Sequence, residues 1–270
     1  MSYYELASKT ADHIRSKVNW DAQTAVILGT GLGDLKDKIV AEHSFAYADI
    51  PNFPISTVQG HDGMLIFGTI NKTKVIAMAG RFHYYEGYSM KEVTFPIRVL
   101  KLLGIQKLII SNVSGSVNPS YEAGDIIVVK DHINLHPENP LRGENDERFG
   151  PRFPDMLKTY SADLRQMVLK VGKELGIRVK EGVYLSLQGP NLETPAEYNF
   201  FRIIGADLIG MSTVPEVLVA KHMAMEICVL SVVSNKCFPL EQLTETTVEE
   251  VIAVANRAAP YLTKIVAELV

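Results

Sequence analysis

Short apolar runs alternate with amphipathic stretches along most of the chain. Residues 24–28 and 107–111 are nearly unbroken apolar runs rich in isoleucine, which is typical of strands buried on both faces of a sheet. Stretches such as 161–175 and 195–204 favour helices between strands. This alternation predicts an α/β sheet covered by helices.

Helix starts carry their own signals. Ser89 with Glu92, and Thr247 with Glu250, match the capping box, in which a hydroxyl and a glutamate three residues later bond the first backbone N–H groups. Pro260 within the last helix predicts a kink. The other predicted elements are strands at 64–68 and 74–79, paired about Asn71 and Lys72, strands at 125–130, 182–187, 207–211 and 227–234, and helices from the N-terminus to Val18 and at 215–225.

The composition is that of an ordinary globular protein. Of 270 residues, 47% are hydrophobic and 21% are charged, and no repeat, linker or low-complexity tract interrupts them. Residues 1–270 are therefore interpreted as a single domain. The net charge of −4 lacks the basic excess that binding to a phosphate backbone uses, so nucleic acid is not an expected partner.

Cysteine usage and the N-terminal residues bear on the compartment. Cys228 and Cys237 are too few for a disulfide framework and lack CxxC spacing, which favours the cytoplasm. Charges within the first 18 residues exclude a signal-peptide core, and no apolar run approaches the ~18 residues that span a bilayer, so no membrane partner is expected. His132 and His136 have metal-ligand spacing for a helix, but a strand is predicted there and no metal site is expected.

Candidate chemistry is sought at the carboxyl ends of strands, where an α/β sheet places its ligands. The loop GTGLG at 29–33 follows the first strand, and its small residues would let backbone amides approach an anion while Thr30 offers a hydroxyl. Asp34 stands where a dinucleotide-binding fingerprint needs its third glycine, so NAD is not predicted. A tight turn without further function explains the loop equally well.

A second group of polar residues follows the strand at 74–79. Arg81 and His83 are at alternate positions, so in an extended segment both side chains point the same way and can donate to one tetrahedral oxyanion. The alternative is a surface turn in which Arg81 pairs with Glu86. Ser212, between a strand and a helix, offers a further hydroxyl to an anion, or else only caps that helix.

Two further residues are suited to a nitrogenous base. Glu193 precedes a helix capped by Thr194 and can accept from a ring N–H, unless it is a solvated acid favoured by the helix dipole. Asn235 follows the strand at 227–234 with a donor and an acceptor, which partly suits O6 and N7 of a 6-oxopurine; otherwise it is a turn former. The polar stretch at 136–154, which contains four prolines, is expected to be functional or to contact a partner.

Several motifs appear in order over essentially the whole chain. They are GTGLG at 29–33, IPNFP at 50–54, GRFHYYEGY at 80–88, NPLRG at 139–143, NDERFG at 145–150, GPNLET at 189–194, GMSTVPEV at 210–217 and SNK at 234–236. Together they resemble the purine nucleoside phosphorylases of the trimeric, low-molecular-mass type. The resemblance implies an α/β fold, a single domain whose twisted mixed sheet forms a distorted barrel surrounded by α-helices, and a homotrimer.

The resemblance also implies a reaction. It is the reversible phosphorolysis of 6-oxopurine (deoxy)ribonucleosides such as inosine and guanosine to the free base and α-pentose 1-phosphate, with phosphate as co-substrate and no cofactor. Because the sugar becomes oxocarbenium-like, the reaction needs an anion on one face and a purine that accepts electron density on the other.

The same resemblance assigns roles to individual residues. Phosphate would be held by Thr30, Arg81, His83 and Ser212, with the backbone around Asn112 and Val113. The purine would be held by Glu193, Asn235 and Leu192. The ribose would be held by Tyr85, Met211 and, from a neighbouring subunit, Phe149. Asn235, Glu193 and His83 are the implied catalytic residues. No metal ligand is implied.

The chain departs from the family pattern in two places. Val248 stands where the family has a histidine that reaches the ribose 5′-OH, which predicts weaker recognition of that hydroxyl and tolerance of 5′-modified nucleosides. Residues 113–116 are Val-Ser-Gly-Ser where the family has two alanines and two glycines. A methylthioadenosine phosphorylase is one alternative, although such enzymes present an aspartate where Asn235 stands. A non-catalytic nucleoside-binding protein is another.

Overall fold

The computed structural model describes residues 1–29, 33–57 and 62–270. Within them the strands are β1 (Thr24–Leu28), β2 (Val40–Ala46), β3 (Met64–Ile70), β4 (Thr73–Ala79), β5 (Lys107–Ser116), β6 (Ile126–Asn134), β7 (Val179–Ser186), β8 (Leu208–Gly210) and β9 (Glu226–Lys236). The helices are α1 (Tyr3–Lys17), α2 (Gly33–Lys36), α3 (Met90–Leu102), α4 (Ala162–Glu174), α5 (Pro195–Ile203), α6 (Val214–His222) and α7 (Val248–Leu269).

The strands of this described part form one mixed sheet in the order β2-β3-β4-β1-β5-β8-β7-β6-β9. Because β5 also pairs with β9, the last five strands close into a barrel. β5 runs parallel to both β1 and β9, so it joins the open part of the sheet to the barrel and brings three carboxyl strand ends to one edge. The predicted α/β fold with a barrel-forming mixed sheet is confirmed.

Local sequence explains several elements at their predicted places. All five residues of β1 are buried, and the strand lies between β4 and β5 with parallel pairing on both sides. Asn71 and Lys72 join β3 to β4 with φ values of 47° and 69°, the positive values that a two-residue hairpin turn requires. The capping boxes predicted at the starts of α3 and α7 are both formed.

Other boundaries differ from the prediction. β5 extends to Ser116 and β9 to Lys236, because their last polar residues pair within the barrel rather than forming loops. β2 was not predicted; it is an edge strand that pairs with β3 alone and is largely exposed, so it lacks an apolar run. The predicted last helix does continue past Pro260, as one helix of 22 residues, and the kink at Pro260 stays a prediction.

The core lies on both faces of the sheet. One buried cluster joins α1, α3 and α6 to the sheet, and a second lies beneath α4 and α7. Both contain residues of β1, whose side chains alternate between the two clusters. No helix among the described residues has the length and apolar character needed to cross a membrane.

Candidate active site

A cavity of about 680 Å³ opens where the carboxyl ends of the strands meet. The predicted site residues that line it are Arg81, His83, Tyr85, Asn112, Val113, Leu192, Glu193, Met211, Ser212, Asn235 and Val248. Thr30 lies outside the described residues. The loops after β4 and β8, the ends of β5 and β9, and the first turns of α7 thus converge on one space.

Arg81 is the cation at one end of the cavity, and it is only 2% exposed. Its guanidinium donates to the carbonyl of Ser111, to Ser212 Oγ at 3.3 Å and to Thr213 Oγ1 at 3.1 Å. The carboxylate of Glu216, also buried, lies 3.7 Å from Nη1. These partners fix the plane of the guanidinium before any ligand arrives.

Gly29 permits the close packing around this guanidinium. A Cβ added at Gly29 would lie 2.5 Å from the carbonyl oxygen of Ser111 and 3.1 Å from Arg81 Nη2. Neither the backbone nor the buried guanidinium can retreat, so a residue with a side chain does not fit here. This part of the glycine loop is therefore required by packing.

His83 is held by a carboxylate rather than by solvent. Glu86 accepts from the His83 backbone N–H at 2.8 Å and lies 3.0 Å from Nδ1, and Tyr85 stacks on the imidazole at 4.7 Å. Burial by itself would raise the pKa of Glu86, but hydrogen bonds from His83 and Thr57 lower it to about 2. An ionised carboxylate at Nδ1 favours the tautomer with its proton on that nitrogen. The predicted alternative, in which Glu86 pairs with Arg81, is not the arrangement seen.

Ser212 does not cap the helix that follows it. α6 begins after Thr213, which occupies the N-cap position without a side-chain capping bond. The Ser212 hydroxyl instead lies at the cavity wall near Arg81. The backbone carbonyl of Ser212 accepts a hydrogen bond from Ser186 Oγ at 2.8 Å. Beside it, Asn112 donates from Nδ2 to Thr213 Oγ1 at 2.8 Å. Donors therefore surround this end of the cavity, as an anion requires.

Asn235 lines the cavity away from Arg81, because it lies against Gly115 in β5 whereas Arg81 binds the carbonyl of Ser111, and a β-bulge places Asn235 there. Ser114 pairs with Val233 but Gly115 pairs with Asn235, so Ser234 is an extra residue in β9. Gly115 leaves room for the neighbouring thiol, since an added Cβ would lie 2.8 Å from Cys237 Sγ.

Three side chains hold the Asn235 amide. Oδ1 lies 2.7 Å from Ser234 Oγ, and Nδ2 lies 3.3 Å from both Cys237 Sγ and Thr246 Oγ1. No local pattern indicates Cys237 or Thr246 as site residues. Their place in the cavity wall depends on how β9 and the segment before α7 fold against each other.

Glu193 is partly buried and lines the same cavity as Asn235, which argues against a simply solvated acid. Burial raises the pKa of its carboxyl, and a hydrogen bond with Tyr198 partly opposes that shift. Tyr198, on α5, lines the cavity and also interacts with Cys237, whose thiol contacts the Asn235 amide. Tyr198 was not predicted as a site residue, because an aromatic residue on a helix face usually indicates only packing.

Phe149 requires a correction, because the ring expected to reach a neighbouring subunit is buried within its own chain. The ring is 7% exposed and lies 4.9 Å from Tyr4, while the guanidinium of Arg98 covers it at 4.4 Å. It is thus fixed in the core of its own chain by apolar and cation–π packing. Phe153, on the same polar loop, is the exposed ring, at 87%.

The two histidines with metal-ligand spacing are used otherwise. His132 lies in β6 with Nδ1 at 2.9 Å from the Tyr160 hydroxyl, and His136 Nε2 lies 2.7 Å from Ser186 Oγ. Across the described ranges, no group of three or more histidine, cysteine, aspartate or glutamate side chains is placed to hold a metal ion.

One end of the cavity carries groups that donate to an anion, and the other carries an amide and a carboxylate. These groups define a class of protein that brings an oxyanion to an organic, ring-containing ligand. Comparisons with known proteins agree with this class. Residues 23–270 match the model of the phosphorylase superfamily, and the chain belongs to that family.

The relatives are purine nucleoside phosphorylases. Purine nucleoside phosphorylase 1 of Geobacillus stearothermophilus is 50% identical over 227 residues, which cover 84% of this chain and 83% of that protein. The enzyme of Rattus norvegicus is 45% identical over 272 residues, covering 98% and 94%. The crystal structure of isoform 2 from Schistosoma mansoni, in complex with cytosine and ribose-1-phosphate, has a TM-score of 0.94 at 41% identity and covers 98% of this chain and 95% of that one.

Proposed function

We propose that this protein is a purine nucleoside phosphorylase that cleaves 6-oxopurine (deoxy)ribonucleosides, including inosine and guanosine. The products are the free base and α-D-(deoxy)ribose 1-phosphate, a step of purine salvage. One observation carries the proposal: Arg81 and Asn235 line the same cavity, at the ends suited to an anion and to a base. The similarity to named phosphorylases supports the same conclusion.

Phosphate binds at the Arg81 end. Arg81, His83 and Ser212 donate to its oxygens, with the backbone of Asn112 and Val113 completing the subsite; Thr30 is proposed to join them. One phosphate oxygen attacks C1′ while the bond from C1′ to the purine nitrogen breaks, so the configuration at C1′ inverts. Phosphate is already anionic, so these residues need only position it.

The purine leaves toward Glu193 and Asn235. Glu193 accepts from N1–H, and the Asn235 amide donates to O6 or accepts the proton that N7 gains as electrons enter the ring. These contacts strengthen as negative charge develops on the base, which is what selective stabilisation of the transition state requires. Leu192 covers the base, and Tyr85 and Met211 contact the ribose.

An enzyme for 5′-methylthioadenosine is the second candidate. Val248 and Val251 line the cavity and offer an apolar surface to a 5′ substituent. Asn235 favours the first candidate, because a 6-amino group donates and is better matched by a carboxylate than by an amide donor.

Release of free base from nucleosides tests these assignments. The purified protein is incubated with inosine, adenosine or 5′-methylthioadenosine, each with and without phosphate. Hypoxanthine formed only with phosphate supports the proposal, whereas adenine from 5′-methylthioadenosine alone supports the second candidate. Binding of inosine without base release would assign a non-catalytic nucleoside-binding protein.

Further features belong to the same proposal. Residues 1–270 form a single domain, inorganic phosphate is a co-substrate and no cofactor is used. Cys228 and Cys237 are both buried thiols, which suits the reducing cytoplasm.

We propose a homotrimer in which the polar loop at 136–154 reaches a neighbouring subunit. Phe153 rather than Phe149 is then the ring available to the neighbour's ribose, because it is exposed. Phe153→Ala should lower kcat/KM for inosine without changing Tm. Phe149→Ala should instead lower stability by about 3–5 kcal/mol, the usual cost of removing a buried ring. Unchanged kinetics in Phe153→Ala, or a monomer in sedimentation, would contradict this assignment.

A further inference from the structure

Thr213 has an unusual backbone conformation at the anion end of the cavity. Its φ is 75° and its ψ is −55°, and the N–H of Val214 donates to the carbonyl of Ser212 at 2.8 Å. This is a γ-turn of the strained hand, which is rare in proteins. A β-branched residue with positive φ is a true outlier, so surrounding contacts must hold it.

Because of this turn, the Thr213 hydroxyl does not make the capping hydrogen bond that is usual for a threonine before a helix. An N-cap hydroxyl normally accepts from a backbone N–H in the first turn, but Thr213 makes no such bond to α6. The side chain is instead fully buried, at 0% exposure. Oγ1 lies 3.1 Å from Arg81 Nη1, 2.8 Å from Asn112 Nδ2 and 3.1 Å from Ser212 Oγ.

The chemistry of these neighbours fixes the directions of the bonds. The guanidinium and the amide nitrogen can only donate, so they occupy the two lone pairs of the Thr213 oxygen. The Thr213 proton is then directed to Ser212 Oγ, which also accepts from Arg81 at 3.3 Å. The proton of the Ser212 hydroxyl therefore remains available to donate, and Ser212 lines the cavity.

We propose that Thr213 is a positioning residue of the phosphate subsite. Its strained turn carries one hydroxyl that joins Arg81, Asn112 and Ser212 and leaves the Ser212 proton for the bound anion. The inference rests on the proposed function in naming phosphate as that anion. A residue acting in this way should affect the binding of phosphate and leave nucleoside binding unchanged.

Three substitutions in the intact protein test the role. Thr213→Val keeps the shape and the β-branch but removes the hydroxyl, Thr213→Ser keeps the hydroxyl, and Thr213→Gly removes it while relieving the strain of positive φ. Thr94→Val is the matched control, since Thr94 is buried outside the cavity and its hydroxyl donates to the carbonyl of Met90 in its own helix. Initial rates give KM separately for phosphate and for inosine, and calorimetry with inorganic phosphate gives Kd directly.

Loss of a hydrogen bond that orders a charged donor predicts a rise of about tenfold or more in KM and Kd for phosphate in Thr213→Val and Thr213→Gly. KM for inosine should stay within about twofold, and Thr213→Ser and Thr94→Val should resemble the parent. Should Thr213→Val fail to fold, Thr213→Gly carries the test.

Three results would overturn the inference. They are an unchanged phosphate Kd in either hydroxyl-free variant, equal increases in both KM values, or a loss in Thr213→Ser as large as in Thr213→Val. Calorimetry separates this failure from that of the proposed function: a parent that binds phosphate but releases no base would refute the proposed reaction and leave Thr213 testable.

Discussion

Replacing Asn235 by aspartate should change the base preference of the enzyme. The carboxylate can be accommodated, because Ser234, Cys237 and Thr246 each have a proton that can point to one of its oxygens. What is lost is the amide N–H that we propose donates to the departing 6-oxopurine. The variant should therefore fold and should respond at the level of catalysis.

The size of the change follows from the bond that is removed. A hydrogen bond to a group that becomes charged is worth about 1.5–3 kcal/mol, which corresponds to a loss of roughly 10- to 150-fold in kcat/KM for inosine. Adenosine gains an acceptor for its 6-amino group, and its kcat/KM should rise about tenfold by the same reasoning. Together the inosine-to-adenosine ratio should fall by roughly two to three orders of magnitude.

The measurement is kcat/KM for both nucleosides at saturating phosphate, in the parent and in Asn235→Asp. Asn235→Ala is the matched control: it lacks both the donor and the acceptor, so it should impair inosine without improving adenosine. An unchanged inosine-to-adenosine ratio in Asn235→Asp would refute the role of Asn235 in choosing the base.

Two further substitutions probe other parts of the cavity. Glu86→Gln removes the charge that holds the His83 ring, so KM for phosphate should rise about 10- to 100-fold while KM for inosine stays constant. The control is Glu92→Gln, in a capping box outside the cavity, which should change neither KM. Equal effects of the two substitutions would contradict the role of Glu86 in holding His83. Val248→His supplies a donor for the 5′-OH and should raise the preference for inosine over 5′-deoxyinosine about tenfold; no change would mean that position 248 does not face the 5′ carbon.

Local sequence patterns were sufficient to predict structure where it depends on a residue's neighbours in sequence. The buried run of β1, the hairpin at Asn71 and Lys72 and the capping boxes of α3 and α7 all follow from interactions within a few residues. The strands β4 and β9, which precede Arg81 and Asn235, run parallel to β1 and β5 and so present their carboxyl ends at one edge. Ser212 and Glu193 follow β8 and β7, which run antiparallel to β5, and they line the same cavity in the closed barrel.

Phe149 and Phe153 show where local pattern fails. Both are aromatic residues in one polar loop, and nothing in the sequence around them says which ring is buried. Contacts with Tyr4 and Arg98, which come from distant parts of the chain, bury Phe149 and leave Phe153 exposed.

The amino-acid sequence by itself determined the α/β class, most elements and the types of residue available for binding an anion and a base. Only the tertiary structure decided the partners: Arg81 meets Thr213 across 132 positions, and closure of the barrel by β5 and β9 places Asn235 beside Cys237. The physical reason is the distance along the chain over which the interactions act. Periodicity and capping arise from forces between near neighbours, whereas the orientation of a buried donor depends on every group that packs around it.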